Sequence, residues 1–160
     1  MTVAATKSLM GSIIADPAGT PATDVNALTD FFVQWNKPAD DAAASTATAE
    51  HAIARIPIAA EIVSAYYGTE STITAHDTNY ATLTVSVRDG AGGAASAACS
   101  QTTKITGGSG DIAAYVPKVL TLDTTKKAVA ANSVLTVLIS KASSGVVVPA
   151  GFISVHLRRV

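Results

Sequence analysis

Charge is scarce in this chain. Lys and Arg number 11 and Asp and Glu 12 in 160 residues, 14% together, with a net charge of -1. Soluble proteins carry about 25%. A nucleic-acid partner is not expected, because phosphate binding needs clustered cations, and the pair Arg158 and Arg159 is too small a cluster. Aromatic residues are 5%, so a core must be built mainly from Val, Ile and Leu, with much of the 48% hydrophobic content being Ala. Cys99 stands alone, which excludes an intrachain disulfide. No apolar run approaches the ~20 residues of a membrane helix, so no membrane partner is expected. The opening MTVAATKSLMGSII lacks the continuous apolar stretch of a signal peptide.

Chemistry-bearing patterns are equally sparse. His51, His76 and His156 lie far apart, and none has metal-ligand spacing with another His or with Cys99. There is no G-x-S-x-G elbow, phosphate loop or C-x-x-C. The loop His76-Asp77-Thr78-Asn79 offers oxygen atoms, but fewer than the six to eight that Ca²⁺ takes. Asp and Asn before a strand more often bond nearby backbone N–H groups. Asp40 and Asp41 read as a solvated stretch. No catalytic, cofactor or metal residue is therefore assigned, and the chain is not expected to be an enzyme.

What the sequence does contain is strands. In TNYATLTVSVRDG, residues 78–90, Ala81, Leu83, Val85 and Val87 alternate with Tyr80, Thr82, Thr84, Ser86 and Arg88. That period of two marks a half-buried strand closed by an Asp-Gly turn. Ile56, Ile58, Ala60 and Ile62 share another face, with Pro57 confining that part to an edge or an irregular strand. Further strands are expected at 61–67, 101–105, 113–122 (interrupted by Pro117), 133–141 and in the pair GVVVP and GFISVHLRR. Val134 and Leu138 oppose Leu135, Val137 and Ile139, so 133–141 should be central. His156 falls in the polar register of the last strand. The glycine-rich DGAGGAASAACS is expected to be a mobile loop or a backbone surface against a partner. Seven or eight short strands in all point to an all-β antiparallel sandwich over 51–160.

Residues 1–50 read differently. Gly11, Pro17, Gly19 and Pro21 suggest an extended arm, followed near 24–36 by a short helix with Val25, Leu28, Phe32 and Trp35 at helical spacing. Lys37-Pro38 would end it. The Ala-, Ser- and Thr-rich stretch beyond reads as a linker.

The segments ITAHDTNYATLTVSVRDGAGG, TGGSGDIAAYVPKVLTL and SVLTVLISKASSGVVVPAGFISVHL resemble the β-sandwich head-decoration, or cement, proteins of tailed bacteriophages. The resemblance spans about residues 55–160. Its most specific pieces are Ala65-Tyr66-Tyr67, the TNYATL segment and the VVVPAG turn at 146–151. It implies a jelly-roll-like sandwich, commonly a homotrimer, made in the host cytoplasm and seated on the outer capsid surface against the major capsid protein. Phe31, Phe32 and Trp35, as anchors of the arm, and Tyr80 are then the candidate subunit or capsid contacts. The alternative is a receptor- or carbohydrate-binding module of a head or tail fibre, with Tyr80 and Tyr115 as stacking platforms.

Overall fold

A computed structural model describes residues 30–39 and 48–160, and shows nine strands joined in one antiparallel sheet. They are β1 (Asp30–Lys37), β2 (Ala49–Ile56), β3 (Ala60–Thr69), β4 (Ala81–Arg88), β5 (Ser96–Thr102), β6 (Lys118–Leu122), β7 (Ala128–Val129), β8 (Ser133–Lys141) and β9 (Gly151–Arg159). The spatial order is β1-β9-β3-β6-β5-β4-β8-β2, with the short β7 also pairing β3.

Leaving β7 aside, the first strand pairs with the last, the second with the second last, the third with β6 and β4 with β5. β6 turns the corner: Lys118 to Leu120 pair with β3, whereas Thr121 and Leu122 pair with β5. The sheet thus curls into a nearly closed, barrel-like form. Its two end strands, β1 and β2, approach one another through side chains, with the Trp35 and His51 rings stacked at 4.9 Å between centroids.

Period-two alternation decides which residues enter the core. Ile62, Ala65 and Tyr67 from β3, Leu83 and Val85 from β4, Leu135 and Val137 from β8, and Ile153, Val155 and Leu157 from β9 are buried in one apolar cluster. β4 and β8 lie where the alternation places them, and β8 has a neighbour on each side, as its two apolar faces suggest. Ile56, Ala60 and Ile62 are buried, but Ile58 is exposed in the turn between β2 and β3.

Three expectations need correction. The helix near 24–36 is absent over the described part of that range. Asp30–Lys37 is instead a strand paired with β9 along its full length; residues 24–29 lie outside the described residues. Phe31, Val33 and Trp35 alternate as well as Phe32 and Trp35 match a helical turn. The aromatic and β-branched content favours a strand, and the backbone groups along β9 decide between the two. This strand belongs to the stretch assigned to the arm. The second correction concerns the low-complexity run: its end, from Ser96, begins β5, where Ala98 and Cys99 are buried. Small side chains here fill a tight place in the core. The third concerns strand bounds: GVVVP forms no strand, although Val148 is buried, the strand expected over 113–122 begins only at Lys118, past Pro117, and the one expected at 101–105 ends at Thr102.

The loops are held locally. In the β4–β5 connection, Asp89 Oδ1 accepts hydrogen bonds from the N–H groups of Ala91 and Gly93 at 3.0 and 2.8 Å. His76 Nδ1 accepts from Thr78 and Asn79, and Asp77 accepts from the Thr106 N–H at 2.7 Å. His76 alone bonds its immediate backbone; Asp77 and Asn79 instead accept from Thr106 and Ser144, far away in the chain, so these side chains tie the loop to other loops.

Candidate functional site

The outward face of β1, β9, β3 and β6 is the least ordinary surface of the molecule. The strand registers lay three rows across it: Phe32, His156 and Ser64; Gln34, Ser154, Tyr66 and Val119; Asn36, Phe152 and Gly68. None of these residues is a Lys, Arg, Asp or Glu. Phe32 is 67% exposed, and its ring stacks on His156 at 4.6 Å and 16°. Tyr66 and Val119 are exposed side by side. Of the eight exposed large apolar side chains among the described residues, five lie here or in the loop leading into β6: Phe32, Tyr66, Tyr115, Val116 and Val119.

Charge on the strands gathers at one end of the face, where it is paired, while Glu70 borders the opposite end. Arg158 Nε donates to Asp30 Oδ1 at 2.9 Å, and Lys127 Nζ lies 2.6 Å from Glu61 Oε2. The hydrogen bond from Arg158 above all holds the Asp30 carboxyl below the usual carboxylate range. His156 Nε2 lies 3.4 Å from the other Asp30 oxygen.

At the opposite end the face dips into a depression of about 380 Å³ bordered by Asn36, Gly68, Glu70, Tyr115 and Phe152. Gly68 and Gly151 make it possible. A side chain at Gly68 would run into the Phe152 ring, and one at Gly151 would strike the Gly68 carbonyl. Lys37 also lines it but is buried, and directs its ammonium group to the carbonyls of Val148 and Pro38 at 2.9 and 2.6 Å. A buried cation is tolerated only with such partners.

The other broad face, from β5, β4 and β8, is hydroxylated: Thr84 and Ser100 bond at 3.2 Å, and Thr82, Thr102 and Thr121 surround a second depression of about 500 Å³. Tyr80 borders it, with the Lys104 ammonium 5.6 Å from its ring centroid. At the far edge, Arg88 clasps Glu50 with two hydrogen bonds of 2.8 and 2.7 Å.

The structure therefore separates the four contact candidates. Phe31 and Trp35 turn inward and pack against the core, Phe32 points out on the aromatic face, and Tyr80 lies on the hydroxylated one. Tyr66, Val119 and Phe152 were not singled out from sequence as contact residues, whereas His156 was read as a surface or interface histidine. The outward register of β9 was legible, but its neighbours across β1 and β3 were not. Among the described residues, no group of three or more His, Cys, Asp or Glu is placed to hold a metal ion.

No protein-family model matches the sequence, and no curated protein matches it. A solved structure of the infectious bursal disease virus Gx strain is similar over 81% of this chain and 32% of that chain, at 9% identity and a TM-score of 0.35. Likeness at that level carries no argument about fold or function.

Proposed function

We propose that this is a structural virion protein, a decoration protein that binds the outer surface of a bacteriophage capsid and reinforces it. The observation that carries the reading is the outward face of β1, β9, β3 and β6. It presents Phe32, Tyr66 and Val119, and its strand charges pair with one another at one end, leaving Glu70 at the other. Exposed large apolar side chains gathered on one face favour an interaction surface, and the scarcity of unpaired charge lowers the desolvation cost of covering it. The strand order supports a jelly-roll reading, because first-with-last pairing repeated inward is what two nested Greek keys produce. Jelly rolls serve in viral capsids and in lectins alike, so the fold alone does not choose between them.

In this reading the face packs against the major capsid protein and against copies of the chain in a homotrimer. Newly made protein would assemble from the host cytoplasm onto the capsid exterior. The test is co-sedimentation with phage capsids stripped of decoration, together with light scattering to obtain the solution mass. Saturable capsid binding and a trimer are expected for the natural chain. Phe32→Asp and Val119→Asp should fold normally, since both side chains are exposed, and should lose at least one of the two associations. A monomer that ignores capsids would refute the proposal.

A further inference from the structure

The depression at the end of the aromatic face has the makings of a ligand site, and the argument for it does not depend on the capsid reading. Its floor is the half-buried Phe152 ring, laid over Gly68 where a β-carbon would collide. One wall is Tyr115, which is 80% exposed and adopts a φ of 61°. That left-handed conformation is costly for a bulky aromatic residue, and such strain is retained mainly at functional positions. The Tyr115 N–H donates to the Thr69 carbonyl at 2.8 Å, so the strained residue is anchored to the end of β3. The result is an aromatic side chain held out in water at a depression that Phe152 also lines.

Polar groups at the rim narrow the chemistry of the ligand. The Glu70 backbone is fixed by its N–H bond to the Ala150 carbonyl at 2.9 Å, and its carboxylate makes no ion pair among the described residues. Asn36 brings an amide whose oxygen already accepts from Gln34 at 3.2 Å. A carboxylate wants hydroxyl or N–H donors and repels anions. A proline-rich peptide would suit the rings but brings few donors for Glu70. A neutral sugar satisfies both parts: its C–H face stacks on aromatic rings, and its vicinal hydroxyls donate to a carboxylate and an amide. A depression of about 380 Å³ also lies within the size range of small-molecule sites. The larger depression by Tyr80 fits less well, because Lys104 already occupies the space over that ring.

The geometry points to a binding site for a neutral pyranose at this depression, with Tyr115 and Phe152 as the stacking surfaces and Glu70 and Asn36 as the hydroxyl partners.

Saturation-transfer NMR on the full chain, with the methyl glycosides of glucose, galactose, mannose and N-acetylglucosamine at millimolar concentration, tests it. At least one should receive saturation, whereas N-acetylneuraminic acid should not. Tyr115→Asn removes the ring and suits a positive φ, and Glu70→Gln preserves shape while removing charge. Each should weaken binding about tenfold with thermal melting intact. Silence from all four glycosides, binding unchanged in both variants, or equal binding of N-acetylneuraminic acid would overturn the inference.

Discussion

Trp35 of β1 and His51 of β2 stack across the one place where the curled sheet is not closed by backbone pairing, with centroids 4.9 Å apart and planes 29° from parallel. Phe31, Val33 and Trp35 also cover the core at this seam. Closure of the barrel-like sheet therefore depends on side-chain packing where elsewhere it depends on a ladder. Trp35→Ala is expected to destabilise the fold by about 2 kcal/mol, less than a fully buried Trp because the ring is only half-buried. Urea denaturation measures the loss, and hydrogen exchange should locate it first in β1. A change below a few tenths would mean that the seam contributes little.

Acid should loosen the opposite face. The two hydrogen bonds from Arg88 above all lower the Glu50 pKa from its ordinary 4.5 to about 2. A depressed carboxyl stabilises the fold fully above pH 4.5, and that contribution is lost as pH falls towards 2. Glu50→Gln should therefore flatten the decline of the urea midpoint across this window. An identical pH profile in the variant would show that the pair is screened out by solvent.

The two glycines of the depression should differ in their tolerance of a methyl group. At Gly151 the added carbon meets the Gly68 carbonyl, which is backbone in a paired strand; at Gly68 it meets the edge of the Phe152 ring, which can swing away. Gly151→Ala should cost about 1–3 kcal/mol and Gly68→Ala less. Thermal melting of the two variants checks the order, and the reverse order would contradict the strand contact described here.

Cys99 should be chemically silent in the folded protein. It is buried on β5, and desolvation pushes its pKa up to about 11. The thiolate is the reactive form, so a thiol reagent at pH 8 should label the chain only as it unfolds. The sign for stability is negative at high pH: between about 9 and 11 the unfolded thiol ionises while the folded one does not, which favours unfolding. Rapid labelling without denaturant would show that β5 opens locally.

The legibility of the fold varied with how local its determinants were. In β4 and β9 aliphatic residues alternate with mostly polar ones over seven or more positions, and in β8 a run apolar on both faces marks a central strand, so strand and inner face followed together. β1 was misread because eight residues with Phe, Phe and Trp satisfy both a helical and a strand period. Its neighbour β9, whose edge it completes, lies at the far end of the chain. β5 was half missed, because Ala98 and Cys99 look like low-complexity filler until the space available to them is known. As for the surfaces, Phe32 and Tyr115 could be picked out as aromatic residues. Nothing local tells that Phe32 faces out while Phe31 faces in.

From the amino acids alone came an all-β antiparallel chain with an aliphatic core, little charge and no assembled set of catalytic groups, since composition and period-two alternation are properties of short stretches. Only the tertiary structure decided that β1 closes on β9, and that Phe32, Tyr66 and Val119 share one outward face. It also set the Phe152 ring over Gly68 beside a strained Tyr115. Each of these is a relation between residues distant in the chain, created by sheet register and by the curl that brings the ends of the sheet together.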